Sequence, residues 1–149
     1  MSVIYDYFSA ASDEEAVRVL DVEGGPTATD SGFDAGTLGG IDPVVQLGTL
    51  EALLTGTPYD DVTEDSRAGH NLAMSDDYDR IVITVTDALA SSLAAADDAR
   101  LAEVAEPWSQ TDELAGADPA QLAAFARDLA ALARRAAASG HHVYCWACL

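Results

Sequence analysis

The order of apolar and polar positions predicts three strands that are buried on both sides. Residues 2–8 and 143–149 carry apolar side chains on both faces, and Asp6 is the only charge among them. Between them, residues 80–86 combine four β-branched apolar residues with two threonines, a composition typical of strands. The two ends of the chain are therefore expected to lie side by side in the interior of one sheet.

Helix-capping residues divide the rest of the chain into helical segments. Ser12 and Glu15 form a capping box, which predicts a helix that continues to about Asp21. Asp-Pro pairs at 42–43 and 118–119 predict the starts of two longer helices, because aspartate caps a helix and proline fits its first position. Gly56 and Gly140 are expected to end these two helices. Two further helices are predicted, one from a cap at Asp87 to about Ala96 and one from Asp97 to Glu106, where Pro107 stops it.

The helix that begins at Asp118 has the clearest apolar stripe, which is wide enough to cover one face of a sheet. The stripe consists of Leu122, Phe125, Leu129, Leu132 and Ala136. Residues 22–40 and 57–79 are rich in glycine and acidic residues and are predicted to be long loops. The expected architecture is α/β (α+β): one domain over residues 1–149, with a small mixed sheet that includes the N- and C-terminal strands and is covered by about four to five helices.

The charge of the chain excludes several classes of partner. Its 149 residues include 26 acidic and seven basic side chains, the latter all arginine, so the formal net charge is −19. Binding to nucleic acid or to anionic lipid depends on clustered lysine and arginine, so we expect neither partner. The N-terminus has no basic segment and the chain has two cysteines, which together predict a protein of the reducing cytoplasm.

The sequence ends in a Cys-x-x-Cys next to two histidines, which are His141 and His142. These residue types bind zinc or exchange electrons in other proteins. In a strand, however, Cys145 and Cys148 point to opposite faces, so buried structural cysteines are the favoured interpretation and metal or redox roles are the minor alternatives. We therefore predict no metal and no cofactor.

Few other residues are candidates for a site. The acidic runs 60–65 and 76–79 match no calcium-loop pattern and are expected to be solvated surface. No nucleophile motif is present, so we predict no catalytic residue and place an enzyme of unrecognised type last among the alternatives. Trp108 either packs a loop onto the core or lines a pocket. The candidate binding residues are Trp108, Asp112, Glu113 and His70.

Several short segments resemble a group of small actinobacterial proteins of unknown function. They are Tyr7-Phe8-Ser9-Ala10, Ser12-Asp13-Glu14, Gly40-Ile41-Asp42-Pro43-Val44-Val45, Leu53-Leu54-Thr55-Gly56, Ala105-Glu106-Pro107-Trp108-Ser109 and Tyr144-Cys145-Trp146-Ala147-Cys148. That group is similar in layout to the YfbM-like family, which shares a Leu-Leu-Thr-Gly after a helix and a terminal helix–strand pair. The resemblance implies a single α/β domain and adds no catalytic residue.

Three functional hypotheses follow, of which binding to a protein partner is favoured. An acidic surface suits a basic partner, as in an immunity or inhibitor protein or a mimic of nucleic acid. Alternatively, the acidity is a background property of the proteome, which the absence of lysine fits, and the function lies in a small-molecule pocket. An unrecognised enzyme is the third hypothesis.

Overall fold

The computed structural model describes residues 3–149, so Ser2, the first residue of the predicted N-terminal strand, lies outside it. The strands are β1 (Ile4–Ala10), β2 (Asp34–Ala35), β3 (Asn71–Met74), β4 (Arg80–Thr84) and β5 (His142–Cys148). The helices are α1 (Asp13–Val17), α2 (Val45–Thr55), α3 (Tyr59–Thr63), α4 (Asp87–Ala95), α5 (Asp98–Ser109) and α6 (Pro119–Ser139), and 3₁₀ turns follow α1 and α5 at Arg18–Asp21 and Asp112–Leu114. The predicted α+β class is confirmed.

The five strands form one sheet in the order β2-β1-β5-β4-β3, with β5 at its centre. β5 pairs with β1 from Ile4↔Cys148 to Ala10↔His142, and on its other side it pairs with β4. The two ends of the chain are thus neighbours in the sheet interior, as predicted. All pairs between the described strands are antiparallel, whereas a mixed sheet was expected. The chain leaves β4 at Thr84 and re-enters the sheet at His142, beside the same end, so β5 runs opposite to β4.

The two faces of the sheet are covered by different parts of the chain. Helices α2, α4, α5 and α6 pack on one face, where the predicted stripe of α6 is buried. On the other face, Phe8, Tyr144 and Trp146 are covered by α1, the 3₁₀ turn after it and the loop that follows. Because neighbouring residues of β5 alternate between the faces, Cys145 belongs to the first core, and Cys148 packs against the second.

Capping residues set most helix ends where the sequence predicts them. The Ser12 hydroxyl accepts a hydrogen bond from the Glu15 N–H, and the Asp118 carboxylate accepts one from the Ala120 N–H. Asp42 accepts bonds from the N–H groups of the first two residues after Pro43, immediately before α2. Gly56 and Gly140 end α2 and α6 in the left-handed conformation.

Two boundaries differ from the prediction. Thr86, not Asp87, caps α4, because its hydroxyl accepts the Leu89 N–H. Pro107 does not stop α5 but lies in its last turn, which ends at Ser109. A proline there removes a single helical hydrogen bond, and the buried Trp108 next to it holds the turn in place.

The two predicted loops also contain regular elements. β2 lies within residues 22–40, and it pairs with β1 through only two positions, Phe8↔Ala35 and Ser9↔Asp34. Residues 57–79 contain α3 and β3, and β3 forms a hairpin with β4 that has a bulge between Asn71 and Ala73. β2 and β3 are the two edge strands of the sheet, and α3 forms one wall of the pocket described below.

Candidate functional site

A small pocket lies between the helical layer and one end of β4. Its walls come from α2, α3, the segment 68–69, the residues that follow β4 and the first turn of α4. Most of the lining is apolar, including Leu47, Val62, Val85 and Leu89, all of which are buried. The pocket has a volume of about 90 Å³, and at its rim Val44 is 47% exposed. The fold thus leaves an apolar recess that is open on one side.

Glu51, on α2, places a carboxyl group in this recess. Glu51 is only 6% exposed, although an ionised carboxylate is among the groups least often buried in proteins. Within the described chain, the Glu51 side chain has one hydrogen-bond partner, the Thr86 hydroxyl, which donates to Oε1. The same hydroxyl accepts the Leu89 N–H at 3.1 Å, so its direction is fixed by the start of α4.

The surroundings of Glu51 disfavour its charge. Burial raises the pKa of the Glu51 carboxyl above its ordinary value, the Thr86 hydrogen bond lowers it, and the carboxylate of Asp65 raises it again. No arginine or histidine is among the residues that line the pocket. A buried acid that lines a recess and has a shifted pKa makes Glu51 the candidate functional residue of this pocket.

The pocket offers a ligand an apolar cavity and one carboxyl group, but its lining does not contain the groups of a hydrolytic site. Glu51 is the single ionisable side chain in the lining, and the hydroxyls beside it belong to Thr63 and Thr86. General acid–base chemistry by paired carboxylates requires a second acid within the same site. Throughout residues 3–149, no group of three or more histidine, cysteine, aspartate or glutamate side chains is arranged to hold a metal ion.

The four binding residues predicted from the sequence lie elsewhere. Trp108 is fully buried, and its indole N–H donates to the Gln46 carbonyl at 3.0 Å, so it packs the core and has no surface for a ligand. Asp112 and Glu113 are exposed in the second 3₁₀ turn, where the Glu113 carbonyl accepts from the Gln46 side chain. His70 is exposed and follows Gly69, a residue of the pocket rim.

These four residues do not form one site. Gln46 connects Trp108 to the second 3₁₀ turn, but it does so through backbone carbonyl groups. Glu51, the residue at the floor of the pocket, was not predicted. The sequence does contain a signal for it, because Glu51 is an acidic residue within the apolar stripe formed by Leu47, Leu50 and Leu54.

A second polar cluster joins α1 to the central strand. Arg67 forms two hydrogen bonds with Asp13, at 3.2 and 3.1 Å, and the Tyr144 hydroxyl donates to the same carboxylate at 2.7 Å. The hydrogen bonding of Arg67 is the largest cause of a lowered pKa of the Asp13 carboxyl, and the Tyr144 hydrogen bond lowers this pKa further. Both oxygens of Asp13 accept internal hydrogen bonds, although the buried Arg67 Nε has no partner among the described residues. The cluster therefore fixes the position of α1 on the sheet and offers no free carboxylate oxygen as an obvious site.

Comparisons of the chain with protein families, with curated proteins and with solved structures find no match. The likeness to the YfbM-like family therefore stays a prediction. Among the helices of residues 3–149, none combines the length and the hydrophobicity of a membrane-spanning segment.

Proposed function

We propose that this chain is a binding domain whose acidic surface recognises a basic protein partner. The observation that supports the proposal is the imbalance between paired and unpaired charges. Among residues 3–149, five of the 26 acidic side chains form ion pairs with arginine. A sixth arginine, Arg134, is held by two backbone carbonyls. Six of the seven arginines thus have partners within the described chain, and most of the acidic side chains face solvent without a positively charged neighbour.

One group of these acids is placed next to the pocket. Asp60, Asp61, Glu64 and Asp65, here called the α3 patch, are exposed on α3 and directly after it. None of them forms an ion pair within the described part of the chain. Unpaired charges of one sign on a small surface accelerate encounters with a partner of the opposite sign, and they do so less as salt rises.

The test is capture of partners from native lysate at low and moderate salt, followed by measurement of affinity with the purified partner. We expect a partner with a basic surface, whose affinity falls with salt and drops about tenfold in a D60N/D61N/E64Q variant. A matched control is E106Q/D112N/E113Q, which removes three exposed charges elsewhere and should retain most of the affinity. A partner whose binding ignores both salt and the α3 patch would contradict the proposal.

The alternative, a small-molecule-binding domain, is favoured by one specific observation, the recess at Glu51. Binding of a small molecule in this recess is compatible with a protein partner, because the α3 patch lies beside the same recess. A catalytic function has less support, since the lining contains one acid and no second ionisable group to act with it.

A further inference from the structure

The pocket at Glu51 has the dimensions of a very small organic group. One water-sized position requires roughly 10–15 Å³ of such space, so a recess of about 90 Å³ accommodates roughly six to nine non-hydrogen atoms. Its apolar walls favour an aliphatic body, and its open side, at Val44 and Thr63, leaves an entry path. An aromatic drug-sized ligand is too large, because sites for such molecules measure about 300 Å³ or more.

The charge of the pocket selects the sign of the ligand. The floor carries the Glu51 carboxyl, the Asp65 carboxylate lies near enough to act on it, and the α3 patch continues this negative charge outside. With no basic side chain in the lining, an anionic ligand is repelled, and a neutral one can donate a hydrogen bond to the carboxyl but does not compensate its charge. A cation instead compensates a charge whose burial is otherwise costly.

The hydrogen bond of Glu51 further selects the kind of cation. Because Oε1 already accepts the Thr86 hydroxyl, one of its two acceptor positions is occupied, which makes the carboxylate a poorer match for a planar, two-pronged guanidinium. An ammonium group is a compact charge that needs a single acceptor oxygen and finds further acceptors in solvent or hydroxyls. Thr63 and Thr86 supply such hydroxyls in the lining.

We propose that the Glu51 pocket binds the primary ammonium group of a short aliphatic amine, with the ammonium at Glu51 and the hydrocarbon between Leu47, Val62 and Leu89. The same chemistry is supplied by a free alkylamine and by a lysine side chain of a protein. This inference stands apart from the proposed protein partner, because it is tested on the isolated chain with small molecules.

The experiment is titration of the full chain with n-butylamine, 1-butanol and butyrate at neutral pH, monitored by amide chemical shifts. We expect n-butylamine to bind with a dissociation constant of about 1 mM, as is usual for a ligand of five heavy atoms with one good contact. The shifted amides should include Ala68, Gly69 and Thr86, which line the pocket. 1-Butanol should bind at least tenfold more weakly, and butyrate should not shift these amides.

Two variants distinguish the site from the general acidity of the chain. Glu51→Gln keeps the shape and an oxygen for the Thr86 hydroxyl, and it should lower the affinity for n-butylamine about ten- to hundredfold. Glu106→Gln removes the same charge from an exposed position of α5 and should leave the affinity unchanged. Ala68→Leu, which places a larger side chain at the half-buried rim, should block binding while Glu51 is intact.

A further arm identifies the source of the amine. The affinity of n-butylamine is compared with that of a lysine derivative blocked at both backbone ends. If the lysine derivative binds more tightly, the ammonium site is supported and its natural ligand is a protein side chain. If n-butylamine binds more tightly, the ammonium site is supported and its natural ligand is a free amine. The proposal is overturned if 1-butanol binds as well as n-butylamine, or if the E51Q and E106Q variants bind n-butylamine equally. Both results leave the partner test untouched, since that test varies the α3 patch and not Glu51.

Discussion

Replacing Gly25 with alanine tests whether the loop after α1 is a packed layer of the protein. Gly25 has a φ of +77°, and a Cβ atom added to it would lie 2.8 Å from the Trp146 indole ring on the central strand. The loop also contributes Phe33, whose ring meets that of Phe8 edge-on at a centroid distance of 5.3 Å. The structure therefore places this long glycine-rich segment directly on the second face of the sheet.

The size of the effect follows from two separate costs. An L-residue in the left-handed conformation loses about 1–2 kcal/mol. Forcing an additional carbon into a filled core costs about 1–3 kcal/mol more. Gly32 provides a matched control in the same loop, because its φ is +84° but an added Cβ would have no neighbour within 4 Å. We expect a loss of about 2–5 kcal/mol for Gly25→Ala and about 1–2 kcal/mol for Gly32→Ala.

Equilibrium unfolding in urea measures both losses as changes in the free energy of unfolding. Because a domain of this size loses about 2–4 °C in melting temperature per kcal/mol, the two variants should also differ by about 2–12 °C. Equal losses in the two variants would refute the reasoning. They would mean that the loop moves away from Trp146 at no cost, so that the second face of the sheet is not closed by a fixed layer.

Two other predictions concern Glu51 and the terminal strand. Since burial raises the pKa of Glu51 in the folded chain, the folded state holds its proton more tightly than the unfolded state does. The destabilisation from its ionisation is therefore absent below its ordinary pKa of about 4.5 and grows as the pH rises through the folded value. Glu51→Gln should be as stable as the original chain in acid and more stable at pH 7, as measured by urea unfolding across pH, and a difference that does not vary with pH would contradict the burial argument. Deleting residues 143–149 removes nearly all of β5, which pairs with both β1 and β4, so the loss should exceed the roughly 5–15 kcal/mol that stabilises a domain. We expect an insoluble or molten chain by circular dichroism, whereas removal of the half-exposed Leu149 alone should leave a cooperative melt.

The elements that the sequence predicts correctly are those whose signals are local. α6 has an aspartate cap, a proline at its first position, an apolar stripe and a terminal glycine, and every one of these acts within a few residues. β5 and β1 are apolar on both faces, which requires a central position in a sheet that is covered on each side. Their pairing follows from this requirement without knowledge of the turns.

The elements that the sequence analysis missed are held in place by distant partners. β2 has two residues and exists because they pair with Phe8 and Ser9 of β1. α3 has five residues, which is too short for a helical period to be recognised. The carboxylate of Asp128, on α6, accepts hydrogen bonds from the N–H groups of Thr37 and Leu38, which lie 91 and 90 positions away in the sequence, and these bonds fix the end of the first loop. No local pattern contains that information.

Glu51 bears on the question of whether the acidity of the chain is only a matter of composition. A general bias toward acidic residues adds them where they cost little, which is at exposed positions such as those of the α3 patch. Glu51 is 6% exposed, has one hydrogen-bond partner in the described chain, and is surrounded by the leucines and valines of a recess. A compositional bias gives no reason for a carboxyl group there, because leucine or glutamine at this position avoids the cost of burying a charge. A ligand that compensates the charge does give a reason, and it accounts for the position of Glu51 within the apolar stripe of α2. The surface acids and Glu51 therefore require separate explanations, and the pH dependence of Glu51→Gln measures the cost of the buried charge that the second explanation has to account for.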